Sequence, residues 1–440
     1  MIKVFSILLL CTVFSWLSSC FTDSTIKLDF EQHLVGNRDN TQDSGSWWGE
    51  NITKITHHGT KTYTFVIDKT VSPRTAFLYE KTDGEEWVEG KFFVVSRPPN
   101  ILVDSQGYVQ VIGFEPFDSS ASIYDGRLFH VKFNTANTVT GEYTKTYITE
   151  DYRPSSPEIS TYATIYCGAA IDTDDRILVA YNNSVQSHTP GTHSLGARIY
   201  DPSNQSWTYE SVAKDMISRH AYPFAFVSGT YFHVFAIEDD YDSYYEAIGQ
   251  PYSEYPYRYG MAKHFQRPIS GGSWEETTLI DFNSSKTKEE IWNVRLRIVD
   301  FHVDSSNTIH ALIRYTETGD FAPKCFHYTK KESEKVWASK EILPNANKLT
   351  GLYWSRIWER DDSKLFYICY AWGKQVWLSP INTNTLYTIS GLEGQYKEDA
   401  TPFISSVRSG AQLSSDIYIV IYSGSYEIKA MSLDVPTSGI

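Results

Sequence analysis

Residues 101–112 read ILVDSQGYVQVI. An apolar run at 101–103 stops at Asp104-Ser105-Gln106-Gly107, and an alternating run follows at 108–112. That is the pattern of two short antiparallel strands joined by a tight turn. Working outward, a third alternating stretch lies at 127–133. The same unit recurs along the chain. It appears at 169–171, Asp172-Thr173-Asp174-Asp175, 177–181 and 196–200, ending near Trp207. It appears again from Arg219-His220 to Trp274, and at 298–303, Asp304-Ser305-Ser306-Asn307, 308–315 and 324–328, ending near Trp337. Two further copies occupy 356–387 and 403–433, and an earlier one occupies 63–87.

Seven units of about four strands, each several tens of residues long, predict an all-β, seven-bladed β-propeller, with six blades as the alternative. One four-stranded sheet cannot cover both its faces, so neighbouring sheets stack around an axis and leave only short edges. Residues 49–55 are expected to add a strand to the last blade.

The chain divides into three parts. Residues 1–20 read as an export signal: Lys3 is followed by an apolar run at 4–17, too short to span a bilayer. Leu17-Ser18-Ser19-Cys20 is similar to a bacterial lipobox, so a lipid on Cys20 would hold the protein at a cell surface or outer membrane; an ordinary secretory cut nearby is the alternative. Residues 21–45 read as a polar spacer, and residues 46–435 as the propeller. The 440 residues include 31 tyrosines and 12 tryptophans, and aromatics make up 15%. This composition suits a sugar-facing β protein. A net charge of -14 argues against nucleic acid as a partner. After the signal and Cys20 only Cys167, Cys325 and Cys369 remain, too few for a disulfide framework. A monomer is expected, with no organic cofactor.

In a propeller, the loop between the second and third strands of a blade shares one rim with the start of the next blade's first strand. The long loops of this kind are 113–126, 182–195, 238–258 and 316–322. His188 and His193 lie on the second. Arg219 and His220 start the adjacent blade. Tyr241, Tyr244, Tyr245, Tyr257 and Arg258 lie on the third, a loop long enough to be functional. Histidine, tyrosine and arginine together can move a proton and hold a carboxylate. Elimination from a uronate needs a base for the C5 proton, an acid for the leaving oxygen, and donors that neutralise the carboxylate. A sialidase-like hydrolase also fits a propeller, but the S-x-D-x-G-x-x-W turns usual there are missing; residues 270–274, SGGSW, are a faint echo. A non-catalytic glycan-binding propeller is the alternative from another class.

The order His193, His220, a tyrosine of the 241–245 cluster, then Arg258 in YPYRYG resembles that of the seven-bladed propeller ulvan lyases of polysaccharide lyase families 24 and 25. The resemblance covers residues 45–435. It implies a lyase acting on an acidic polysaccharide, most of all ulvan. His193 or His220 would take the C5 proton. Tyr241 or Tyr244 would protonate the leaving oxygen or serve as both base and acid. Arg258 would hold the carboxylate with the other histidine. His188, Arg219, Tyr245 and Tyr257 would contact substrate.

A second constellation reads as structural zinc. Cys325 and His327 share one face of a strand, and His310 lies on its antiparallel neighbour. His264, on the preceding blade, is expected to face the same gap. Three histidines and a thiolate suit a closed tetrahedral Zn2+ site, and the resembling lyases carry such a metal.

Overall fold

The computed structural model describes residues 30–36, 51–68, 71–117, 126–149, 166–184, 193–216, 219–239, 259–286, 290–291, 294, 296–317, 324–338, 341–342, 352–371, 375–381, 387–389, 401–422 and 428–435. The chain is an all-β β-propeller, and its described strands form seven four-stranded antiparallel sheets.

Strand β1 (Phe30–Gly36) comes first in sequence but belongs to the last sheet. The first sheet runs β2 (Ile55–His58), β3 (Lys61–Asp68), β4 (Thr75–Thr82) and β5 (Val88–Val94). The second is β6 (Asn100–Val103), β7 (Val109–Pro116), β8 (Gly126–Phe133) and β9 (Tyr143–Tyr147). The third is β10 (Gly168–Ile171), β11 (Ile177–Ser184), β12 (His193–Asp201) and β13 (Ser206–Met216). The fourth is β14 (Arg219–Val227), β15 (Tyr231–Asp239), β16 (Tyr259–Pro268) and β17 (Glu275–Asp281). The fifth is β18 (Arg297–Val303), β19 (Thr308–Tyr315), β20 (Lys324–Lys331) and β21 (Glu341–Ile342). The sixth is β22 (Leu352–Glu359), β23 (Leu365–Ala371), β24 (Gln375–Pro380) and β25 (Tyr387–Ile389). The last is β26 (Thr401–Ile404), β27 (Asp416–Tyr422) and β28 (Ile428–Asp434), with β1 outermost.

The turns explain why the units repeat. Asp104 Oδ1 accepts the backbone N–H groups of Gln106 and Tyr108 at 3.2 and 2.8 Å. Asp172 does the same for Asp174 and Arg176, and Asp304 for Ser306 and Thr308. The last turn residue is left-handed each time: Gly107 at φ 84°, Asp175 at 63° and Asn307 at 56°. Glycine, aspartate and asparagine are the residues that tolerate that region.

First strands of successive sheets touch in order from β2 through β6, β10, β14, β18 and β22 to β26, and β26 touches β2 again. The core lies between sheets. Phe65, Ile101, Val111 and Phe129 pack between the first and second sheets, and Phe224, Phe235, Phe301 and Phe326 between the fourth and fifth. Ile55, Val66, Phe403 and Val420 join the last sheet to the first. Each such side chain gains about 1.5–3 kcal/mol from burial.

Closure differs from the expectation in one respect. Residues 30–36, read as spacer, supply the outer strand of the last sheet, with Phe30 opposite Leu433 and Gln32 opposite Met431. Ile55 instead opens the first sheet, opposite Thr64. The sequence FEQHLVG carries no clean alternation, so periodicity alone does not mark it as a strand.

Two connections cross the axis. Residues 51–54 cap the end at which the first strands begin. Thr53 N–H donates to Asn100 Oδ1 at 3.0 Å, and Thr53 O accepts from Ile101 N–H at 2.9 Å. Residues 405–411 cap the other end, where Ser409 O accepts from Val103 N–H at 2.9 Å and Arg408 O from Ile171 N–H at 3.1 Å. Gly410 has φ 83°, and a Cβ there would lie 1.8 Å from Val103 O, so only glycine seats this segment.

Candidate active site

The first strands begin at the end capped by residues 51–54. His193 starts β12 opposite Ser184, the last residue of β11. Arg219 and His220 start β14 opposite Asp239 and Glu238, at the end of β15. Tyr259 starts β16, also opposite Asp239. Strand β14 touches β10, β11 and β12. The backbones of His193, Arg219 and His220 therefore open onto one mouth. His188, Tyr241, Tyr244, Tyr245, Tyr257 and Arg258 lie outside the described residues.

Beneath that rim is a row of side chains that sequence reading missed. The Arg97 guanidinium lies 5.4 Å from the ring centre of Tyr166. Tyr166 meets Tyr222 edge-on at 5.2 Å, and Tyr222 meets Tyr259 at 6.2 Å. The Arg297 guanidinium sits 4.2 Å from the Tyr259 ring centre. Three tyrosines from the third and fourth sheets are thus bracketed by two arginines, from the start of the second sheet and the start of the fifth. Arg97, Tyr166, Tyr222 and Arg297 are partly exposed, while Tyr259 is buried.

The local sequence explains the arrangement. The pairing of β14 with β15 breaks between Ala221 and Phe224. Pro223 has no N–H to give a ladder and belongs at such an irregularity. Tyr222 takes φ 49°, a left-handed conformation unusual for an aromatic residue and characteristic of sites under functional constraint. The break leaves the Pro223 carbonyl free for Asn51, whose Nδ2 donates to it at 2.9 Å and to Tyr166 O at 2.8 Å. Gly168 is required beside this contact, because a Cβ there would lie 2.1 Å from Pro223 O. The visible signal was Tyr-Pro inside a strand. Tyr166 and Arg297 carried none, since a tyrosine or arginine beside a strand is ordinarily a packing residue.

The expected zinc ligands do not converge. His310 Nδ1 and His327 Nε2 lie 2.9 Å apart, and His327 Nδ1 contacts the Tyr367 hydroxyl at 2.6 Å. Both histidines face the sixth sheet, as does Cys325, which packs with Cys369. His264 faces the other side of the fifth sheet: its ring packs on Phe301 and Trp337, and its Nε2 meets His233 Nδ1 at 3.1 Å. Spacing on one strand was read correctly, but it does not say which gap a residue of the neighbouring sheet enters. Among the described residues no three His, Cys, Asp or Glu side chains form a group that could hold a metal. The four residues do not fit a shared Zn2+.

Other buried histidines tie sheets together: His233 Nε2 contacts Glu332 Oε1 at 2.9 Å between the fourth and fifth sheets, and His302 Nε2 contacts Glu359 Oε2 at 3.0 Å between the fifth and sixth, while His310 Nε2 contacts Asp304 Oδ2 at 3.1 Å within its own sheet. Burial holds His233, His264 and His310 below the ordinary histidine pKa, and the neighbouring His233 lowers His264 further.

No known family profile matches the sequence, and no curated protein matches it. Solved structures do. The chain is similar to the polysaccharide lyase Uly1, with a TM-score of 0.55 and 8% identity over 93% of this chain and 100% of that one. It is also similar to a mutant of the Synechocystis apocarotenoid oxygenase (TM-score 0.47, 8% identity, 94% of this chain and 96% of that one). A third is the β-propeller domain of the Trilobed protease from Pyrococcus furiosus (TM-score 0.44, 8% identity, 88% and 93%). At such identities the likeness is one of fold.

Proposed function

We propose that this protein is a glycan-active propeller of the lyase kind, cleaving a uronate-containing acidic polysaccharide, ulvan foremost, by β-elimination at the mouth above Asn51. The observation that carries the reading is the bracketed row: Arg97 and Arg297 flank Tyr166, Tyr222 and Tyr259 on the end onto which His193 and His220 open. Tyrosine faces stack on sugar rings, and guanidinium forks donate paired hydrogen bonds to carboxylates. The likeness in fold to a polysaccharide lyase agrees with it.

In this reading His193 or His220 removes the C5 proton. The C4–O bond breaks, a C4=C5 double bond forms, and Tyr241 or Tyr244 gives a proton to the departing oxygen. Arg258, together with Arg297, neutralises the carboxylate so that negative charge can build at C5. His188, Arg219, Tyr245 and Tyr257 are the further substrate-binding residues in this reading. Export with a lipid on Cys20 would place the protein where such polymers are met.

The test is incubation of the purified protein with a panel of uronate polymers. A rise in near-ultraviolet absorbance from the unsaturated uronate is the expected result. New reducing ends without that absorbance would make the protein a sialidase-like hydrolase. Retention on a polymer column without cleavage would make it a binding propeller.

A further inference from the structure

Between its two caps the axis encloses a cavity of about 10 Å³, lined by Ile52, Thr53, Asp300, His302, Arg356 and Arg408 among others. That is room for roughly one water-sized particle. Two guanidiniums in so small a space set an electrostatic problem, because a buried charge needs an opposite charge or a full set of hydrogen bonds.

Arg356 is already engaged. Its Nε donates to Pro402 O at 3.2 Å and its Nη1 to Val299 O, and Nη1 lies 3.7 Å from Asp300 Oδ1. Asp300 holds its second oxygen on Ile357 N–H at 2.8 Å. His302 is matched by Glu359. Arg408 differs. It is 7% exposed, its guanidinium lies 5.1 Å from the Phe224 ring centre, and its Nη1 is buried with no hydrogen-bond partner among the described residues. Burial, set against the pull of Asp300 and reinforced by the push of Arg356, brings its pKa down to about 10. A further cation stands close by: the fully buried Lys54 has its Nζ 4.0 Å from the ring centre of Phe403, which also lines the cavity. With Asp300 set against Arg356, the lining is left with a surplus positive charge at Arg408.

We propose that this cavity is a halide site, taking one chloride that accepts from Arg408 Nη1 and neutralises the guanidinium. The volume selects a single-atom anion over sulfate or a carboxylate. The ion would act on the ring itself. Arg356 belongs to the sixth sheet, Asp300 to the fifth, Phe224 to the fourth, and Arg408 to the segment that follows the last sheet's first strand. One anion held by Arg408 of the lower cap, beside Arg356 of the sixth sheet, would therefore offset the repulsion between the two guanidiniums. The site is separate from the mouth and stands whether or not the protein is a lyase.

The experiment measures the Tm of the full chain at constant ionic strength while gluconate is exchanged for chloride or bromide. The expected result is a saturable rise in Tm with either halide, lost in Arg408→Gln. Equal Tm values in gluconate and chloride, or a halide-dependent rise that survives in Arg408→Gln, would overturn the proposal. Should that variant not fold, a wild-type crystal grown in bromide decides. An anomalous peak within hydrogen-bond reach of Arg408 Nη1 is expected, and water alone in the cavity overturns it.

Discussion

Asn51 Nδ2 reaches Pro223 O at 2.9 Å across 172 positions of sequence, joining the upper cap to the strand that carries His220. The same amide nitrogen holds Tyr166 O at 2.8 Å. Two carbonyls that no sheet ladder satisfies thus share one buried donor group. Asn51→Ala should cost about 1–3 kcal/mol, the usual penalty for stranding buried polar groups. Asn51→Asp should cost more, since it sets a carboxylate against two carbonyl oxygens. Denaturant unfolding of the two variants checks the order. A stable Asn51→Asp protein would mean that the contact is not a tie.

Arg297 and Arg97 differ from the buried arginines in being partly exposed at the mouth. Arg297→Gln should lower kcat/KM on a uronate polymer roughly 100-fold, as expected when one donor to developing charge is lost. Stability should change by no more than about 1 kcal/mol, as for partly solvated charges. Steady-state absorbance kinetics with a parallel melting curve separate the two effects. Unchanged kcat/KM would remove Arg297 from the substrate site.

The sheets were legible because each turn states its own chemistry. An aspartate that must accept two backbone N–H groups, followed three positions later by a residue able to turn left-handed, recurs at Asp104, Asp172 and Asp304. Alternation then sets the strands. The mouth was legible only as a rim, because loop position follows from strand order. The row beneath it was not, because Tyr166, Tyr222 and Tyr259 meet only once three chain segments are folded together. The pairing of His233 with Glu332 was hidden for the same reason: 99 residues separate partners that sit on facing sheets. His264 was assigned to the wrong gap, since alternation gives two faces without saying which neighbouring sheet each one meets.

The cysteines test that reading of the gaps. Cys167 and Cys369 are fully buried, and desolvation pushes both thiols up to about 12; Cys325 is raised further by burial and by Cys369 beside it. None of the three should react with iodoacetamide at pH 8 in the native protein, and all three should react once it is unfolded. A chelator should leave Tm unchanged, and metal analysis should find no zinc held by His264, His310, Cys325 and His327. Stoichiometric zinc lost together with stability would show that the fifth and sixth sheets repack around a metal.

Acid should weaken the fold well before the carboxylates titrate. Burial lowers His57 to about 4, and His130 and His327 to about 3. Each is held as a neutral ring: His130 Nε2 contacts Gln110 Oε1 at 2.7 Å, and His57 Nδ1 contacts Thr62 Oγ1 at 3.0 Å. In the unfolded chain a histidine takes up its proton near pH 6.5. Between about 6.5 and 4 the unfolded state therefore binds more protons than the folded one. Stability is full above that window and falls as pH drops through it, by about 1.4 kcal/mol per pH unit for each linked histidine. Replacing one of them should flatten the profile by that amount, whatever the change costs at pH 8. His130→Gln is the informative variant, because glutamine keeps a polar group beside Gln110 and cannot take a proton. Unfolding free energies at pH 7.5, 6 and 5 give the slopes, and parallel profiles for wild type and variant would show that His130 is not part of the acid response.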